Sequence, residues 1–156
     1  MDLEALYGIF DGFDLENFLP KLDTLLGWVE MLLRIAVMAG PLLLLGFGLV
    51  YLLLPPKEAN HFAGYRFYWG MGSVDAWRFT QRLAGIVWGL LGLGLTVAAV
   101  LVTNGYPDMN AMEMAYNAIS HILLQIALAF GSCIIMNIVL FVMFDRKGRR
   151  RFRREE

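Results

Sequence analysis

The polar side chains best placed for chemistry lie in the last long apolar segment of the chain. By helical count, one face carries all of them: Glu113, Asn117, Ser120, His121, Gln125 and Ser132. Such side chains at membrane depth face other helices or a water-filled path, and ionisable ones are candidates for function. His121 is the first candidate for a proton or ligand contact, because an unperturbed imidazole titrates near neutrality. The alternative is that His121 bonds to Glu113 or Asn117 and only holds helices together.

Sequence motifs of enzymes are absent from the chain. It has no HExxH, no GxSxG, no phosphate-binding loop and no supported Ser/His/Asp arrangement. Its one cysteine, Cys133, allows neither an intramolecular disulfide nor a CxxC site. His61 and His121 are predicted at opposite membrane faces, so they cannot share a metal ion. We therefore expect a protein that is not an enzyme and that binds no cofactor or metal.

The composition indicates a membrane protein. The chain has 156 residues, 58% of them hydrophobic and 17% charged, with a mean hydropathy of +0.57. Crossing a bilayer as a helix takes roughly 20 apolar residues. The spans are predicted at about residues 35–54, 83–102 and 116–144, with a loop at 55–82 and a basic tail at 145–156. The predicted fold class is an all-α membrane protein whose core, residues 31–144, is a three-helix transmembrane bundle.

The charges outside the predicted spans give an orientation. The loop and the tail are rich in lysine and arginine, which resist translocation. Residues 1–30 are acidic, and the segment "NGYPDMNAMEMA" has no lysine or arginine. We expect the N-terminus outside and the C-terminus in the cytoplasm. A basic run next to a span is typical of a topology signal that contacts anionic lipids, so direct binding of nucleic acid is not expected.

Residues 1–30 are predicted to be an extracytoplasmic segment with an amphipathic helix. Apolar residues recur there at helical spacing, with charged residues between them: Leu15, Phe18, Leu19, Leu22, Leu26 and Val29. Such a helix lies on the outer membrane surface with Trp28 near the headgroups. The alternative is that the segment is the exposed extension of the first span.

The second predicted span carries a stripe of small residues on one face: Gly85, Gly89, Gly92, Thr96, Ala99 and Thr103. Small side chains let a neighbouring backbone approach closely. The stripe predicts tight helix packing, either within the chain or between copies of a homo-oligomer.

The stretch "NHFAGYRFYWGMGSVDAWRF", residues 60–79, is too rich in aromatic residues, glycine and arginine for a bare connector. Gly64 allows a turn or a close backbone approach, and the tyrosines and tryptophans can lie at headgroup depth. Arg66 offers a fork of donors to a carbonyl, a lipid phosphate or a carboxylate of a partner. The alternative is an aromatic and arginine belt that anchors the loop in the interface.

This loop resembles the one that marks the SdpI family of bacterial membrane proteins. The resemblance covers about residues 35–105 and depends on the spacing of Asn60, Gly64, Tyr65, Arg66, Ser73, Trp77, Gln81 and Gly85. The sequence departs from the family pattern at Phe67, where a threonine is usual, and at Thr80-Gln81, where Ala-Asn is usual.

The resemblance implies a non-catalytic, multi-pass immunity protein of the bacterial inner membrane that protects a cell from a secreted membrane-active peptide toxin. It also implies that such a protein can capture a repressor at the membrane and so signal to its own operon. The binding residues it implies on the cytoplasmic side are Asn60, Gly64, Tyr65, Arg66, Ser73 and Trp77. The alternatives are a small oligomeric transporter or channel that uses the polar face of the third span, and an accessory subunit of a membrane complex.

Overall fold

The computed structural model describes residues 15–59 and 64–152. In this part of the chain the fold is all-helical apart from one isolated bridge between Phe144 and Arg150. Each of the three long helices contains a stretch long and apolar enough to cross a membrane. The helices are α1 (Leu15–Leu53), α2 (Val74–Asn104) and α3 (Ala111–Met143). The predicted three-helix membrane fold is confirmed at this level.

All three helices begin before the predicted spans, and capping side chains set the start of α2 and of α3, whereas hydropathy locates only the apolar centre of a helix. The Ser73 hydroxyl accepts a 3.1 Å hydrogen bond from the Ala76 N–H and starts α2 nine residues before the predicted span. The second part of the predicted loop 55–82 is therefore helical. Asn110 and Glu113 form a reciprocal capping box with bonds of 2.9 and 3.1 Å, which starts α3 at Ala111.

The first helix is continuous from Leu15 to Leu53. It passes through Glu30 without a break, which agrees with the alternative that residues 15–30 extend the first span. Residues 1–14 lie outside the described part of the chain. The helix ends where predicted, because Pro55 and Pro56 follow and cannot continue it.

The small residues of α2 pack against α1. A side chain at Gly48 would collide with the backbone of Gly89, and one at Gly92 would collide with the backbone of Leu45. One at Gly85 would lie 2.8 Å from the Leu52 side chain. The predicted stripe is thus a packing surface within the chain, and α1 already occupies it.

The third helix packs on both of the others, more extensively on α1 than on α2. It places two groups of residues at opposite ends of the bundle. We call the end formed by residues 54–59, 64–82 and 144–152, which includes the start of α2, the loop end. The other end, which includes the 3₁₀ turn Tyr106–Asp108, we call the turn end. A buried cluster lies below the turn end: Val37, Ala99, Tyr106, Met114 and Ala118.

Substitution of Gly92 should separate α1 from α2. We expect Gly92→Ala to destabilise the folded state by about 1–3 kcal/mol, because the new methyl group has no room beside Leu45. The measurement is the midpoint of unfolding of the purified protein in a detergent titration. Gly94→Ala is the matched control, since among the described residues nothing lies within 4 Å of a methyl group there. Equal midpoints for the two variants would contradict the close packing.

Candidate functional site

A hydrogen bond between α3 and α1 compensates for a proline inside α1. Pro41 has no N–H, so the carbonyl of Val37, four residues earlier, loses its donor within the helix. The amide of Gln125 donates a 2.9 Å hydrogen bond to that carbonyl. Gly40 leaves room for it, because a side chain there would lie 2.7 Å from the Gln125 Oε1. Gln125, although predicted as part of a polar path, is buried and bonded to α1.

The other polar side chains of α3 bond to different parts of the structure. Glu113 is exposed in the first turn and caps the helix. Asn117 donates to the Glu113 carbonyl at 3.1 Å and lies against the Met109 sulfur at 3.5 Å. Ser132 accepts a 3.2 Å hydrogen bond from the Trp88 indole of α2. Two of these groups therefore lie at the turn end, and the deeper ones bond to neighbouring helices.

His121 keeps an unexplained polar atom. Its side chain is half-buried, and its Nε2 is buried without a hydrogen-bond partner among the described residues. The predicted bond to Glu113 or Asn117 is not formed, since those two groups bond to each other and to the turn. The hydroxyl of the fully buried Tyr106 likewise has no partner in the described part of the chain.

The described loop residues that begin at position 64 are locked to α2 by one side chain. The Gln81 amide accepts a 2.9 Å hydrogen bond from the Tyr65 N–H and donates a 3.0 Å bond to the Tyr65 carbonyl. Gly64 has a φ of +110°, and a side chain there would collide with the ring of Trp77. The turn at Gly64 therefore requires glycine, as the sequence predicted. Gln81, a departure from the family pattern, supplies both bonds.

Tyr65 also ties the loop to α3. Its hydroxyl donates a 3.1 Å hydrogen bond to the Asn137 Oδ1. Its ring packs edge-on against Trp88 of α2, with the ring centroids 5.3 Å apart. Burial raises the pKa of the Tyr65 phenol to about 12.

Two more bonds hold the loop end together. The fully buried Trp77 donates from its indole to the Pro56 carbonyl at 2.8 Å. The Ser73 hydroxyl donates to the Gly148 carbonyl at 2.7 Å, so one side chain caps α2 and binds the tail. Gly148 has a φ of +70° and lies directly against Gly72 and Ser73, which leaves no space for a side chain.

The tail, predicted as a basic segment, is folded into a tight turn in residues 144–152. The Asp145 carboxylate accepts 2.8 Å hydrogen bonds from the backbone N–H groups of Lys147 and Arg149. These bonds, first of all the one from Arg149, lower the pKa of Asp145 below its ordinary value. The Arg151 guanidinium lies over the ring of Phe141, 5.0 Å from its centroid, and donates to the Phe144 carbonyl. Hydrogen bonds from the backbone of the basic run to Asp145 therefore hold it in a turn.

Of the six predicted binding residues, four form the internal frame of the loop end and one lies at its surface. Gly64, Tyr65, Ser73 and Trp77 make the contacts described above. Arg66 is exposed, and so is Tyr68 beside it, with 64% of its surface accessible. Asn60 lies outside the described residues. The structure thus separates the residues that shape this segment from those that lie at its surface.

The two ends differ in charge. The turn end carries mainly acidic residues: Asp23, Glu30, Asp108 and Glu113. Its one described arginine, Arg34, pairs with Glu30 at 2.7 Å and lies over the ring of Tyr106. The loop end carries most of the cations: Lys57, Arg66, Arg78, Arg82, Arg146, Lys147, Arg149, Arg150 and Arg151.

Sequence reasoning missed the role of Pro41 and the folding of the tail. The role of Pro41 could be inferred from the sequence, because the carbonyl four residues before a proline in an uncharged span requires a donor from elsewhere. The signal for the second was Gly148, a lone glycine inside a run of cations.

The bond between Gln125 and Val37 should add more to the free energy of unfolding when Pro41 is present than when it is replaced. We expect Gln125→Met to destabilise the protein by about 1–2 kcal/mol, because the buried Val37 carbonyl loses its donor. In a Pro41→Ala background the backbone N–H at position 41 can replace that donor, and the cost should fall by at least half. Detergent unfolding of the wild type, both single variants and the double variant gives the coupling energy. Equal costs of Gln125→Met in both backgrounds would contradict this account.

Comparison with known proteins gives the family. Residues 57–144 match the family model described as the SdpI/YfhL protein family. The matched region contains the loop, α2 and α3, so it extends beyond the predicted resemblance at the C-terminal side and leaves out α1. No curated protein and no solved structure matches the chain. Because the matched region is more than half of the chain and contains the framework of the loop end, this protein belongs to the SdpI/YfhL family.

Proposed function

We propose that this chain is a non-catalytic protein of the bacterial inner membrane that confers immunity to a secreted membrane-active toxin. The same protein could signal by capturing a transcriptional repressor at the membrane, and the two roles are compatible. Family membership supports the proposal, together with three helices able to cross a membrane. Neither role requires a reacting group, and the loop end offers a surface for binding.

The observation that carries the proposal is that the loop end is a folded surface. A docking surface costs less entropy on binding when its backbone is already fixed. Here Gln81, Trp77 and Ser73 fix the loop to α2 and to the tail. Arg66 and Tyr68 are exposed on this framework. A belt of anchoring residues would not need bonds of this kind between the loop, the helices and the tail.

The charges of the two ends support the proposed orientation. Lysine and arginine collect at the loop end, which we therefore place in the cytoplasm, where a repressor would be found. The acidic turn end then faces outward, where a toxin arrives. A cleft of about 430 Å³ lies there between α1 and the turn, and its lining includes Asp23, Glu30 and Asn110.

The rival function with an observation in its favour is a small transporter or channel. The unpartnered Nε2 of His121, in the described part of a membrane-crossing helix, is the kind of group that a proton path uses. Against it, Gln125 and Ser132 are bonded to other groups and α1 covers the glycine stripe. The accessory-subunit alternative has no observation of its own.

Cysteine labelling tests the orientation. The chain has one cysteine, so Cys133→Ser gives a cysteine-free background. Tyr68 and Met112 are 64% and 79% exposed at opposite ends of the bundle. In intact cells a membrane-impermeant maleimide should label Met112→Cys and should reach Tyr68→Cys only after permeabilisation. Labelling of Tyr68→Cys in intact cells would overturn the orientation.

A toxin-challenge assay tests the function. We expect the wild-type chain, expressed in a sensitive strain, to raise the inhibitory concentration of at least one of a panel of membrane-active peptide toxins. If the loop surface takes part, Arg66→Ala combined with Tyr68→Ala should lose that protection, because both side chains are exposed and the framework stays intact. Trp77→Ala is unsuitable here, because it would remove a fully buried side chain.

The matched control is Leu90→Ala, which changes an exposed side chain on α2 away from the loop. All variants are compared at equal amounts in the membrane. Protection that survives the double variant would exclude the loop from the mechanism. Failure of the wild type against the whole panel would refute immunity. A proton flux in liposomes that His121→Ala reduces would then favour the transporter.

A further inference from the structure

A small basic cleft lies at the loop end, apart from the tail turn. It has a volume of about 180 Å³ and is lined by Pro55, Pro56, Lys57, Arg78 and Arg82. Pro55 and Pro56 follow the end of α1, and the two arginines lie one turn apart near the start of α2. The cleft is therefore formed where the chain leaves one helix and enters the next.

The cleft concentrates positive charge that the described residues do not neutralise. Lys57, Arg78 and Arg82 are exposed, and none of them forms an ion pair within residues 15–59 and 64–152. The nearest acidic residues along the chain, Glu58 and Asp75, do not line the cleft. Cations that share a cleft repel one another unless an anion joins them, and two guanidinium groups can bind phosphate oxygens with several donors. An anion therefore complements this cleft.

The position of the cleft selects the kind of anion. By helical count, Arg82, Ile86 and Leu93 fall within about 40° of one another on α2. Ile86 and Leu93 are 50% and 53% exposed, so this side of α2 faces lipid. Ile86 lies one turn, about 6 Å, from Arg82 along the helix. A phosphate in the cleft would thus have an apolar surface directly beneath it, as an acyl chain requires.

We propose that this cleft is a binding site for an anionic phospholipid. The phosphodiester lies between Lys57, Arg78 and Arg82, and one acyl chain follows α2 past Ile86 and Leu93. A soluble phosphate would use the cations and make no use of the apolar strip. An acidic peptide would not match a cleft whose apolar extension points into the membrane. The site does not depend on the proposed immunity function, because Arg66 and Tyr68, the exposed residues of the proposed docking surface, do not line the cleft.

The test is to count the lipid retained by the full-length protein. The chain is purified from bilayers with equal amounts of phosphatidylglycerol and phosphatidylcholine, and native mass spectrometry measures the bound lipids. We expect the wild type to retain phosphatidylglycerol in preference to phosphatidylcholine. Arg78→Gln combined with Arg82→Gln should lower the affinity by about fivefold for each cation removed. Arg78→Lys combined with Arg82→Lys keeps the charges and should restore most of the retention.

The matched control is Arg149→Gln combined with Arg150→Gln, which removes two cations from the same end but outside the cleft. It should retain phosphatidylglycerol like the wild type, and millimolar inorganic phosphate should not displace the lipid. Equal losses in both glutamine variants would overturn the site, because general attraction to the membrane would explain them. Displacement by phosphate, or retention without a preference for phosphatidylglycerol, would also overturn it.

Discussion

The arrangement of this bundle depends on the close approach of α1 and α2 at Gly48 and Gly89. There the two backbones are so near that a side chain on Gly48 would collide with the backbone of Gly89. Lipid provides no hydrophobic drive for helices to associate, so dispersion over such close contacts has to hold them. This contact also brings the end of α1 close to the start of α2, and these are the two points that the loop connects. The positions of the loop, the basic cleft and the tail all follow from that contact.

The third helix is held in a different way, by polar side chains that meet specific groups. Gln125 bonds to the backbone of α1, Ser132 to the Trp88 indole of α2, and Asn137 to the Tyr65 hydroxyl of the loop. An unsatisfied polar group in hydrocarbon is costly, so each of these bonds removes a penalty as well as joining two elements. The bond at Val37 has the clearest cause, since Pro41 cannot provide the N–H that a regular helix would have there. Two of the polar residues of α3 that the sequence made candidates for transport, Gln125 and Ser132, thereby join α3 to its neighbours.

The sequence predicted the features that depend on the length of uncharged segments and on residue size. It did not predict the features that depend on single hydrogen bonds. Three membrane-crossing helices followed from hydropathy, and the glycine stripe of α2 correctly indicated close packing. The start of α2 was predicted too late, because the bond from the Ala76 N–H to Ser73 is invisible to a hydropathy average. The loop residues were identified as a group, but periodicity cannot show that Trp77 points inward while Arg66 lies at the surface. The tail was predicted as a basic strip, because only the fold brings Gly148 against Ser73.

One loop residue, Tyr65, joins α2 and α3 at the loop end. The capping box places the start of α3 at the turn end, while Asn137 and Phe144 place its other end against the loop and the tail. The loop is bonded to α2 through Gln81 and to α3 through Tyr65, so a shift of α3 relative to α2 would strain Tyr65 from both sides. In contrast, α1 and α2 are joined along a row of glycine contacts that resists sliding. A displacement of α3 relative to α2 would therefore change the position of the loop through Tyr65.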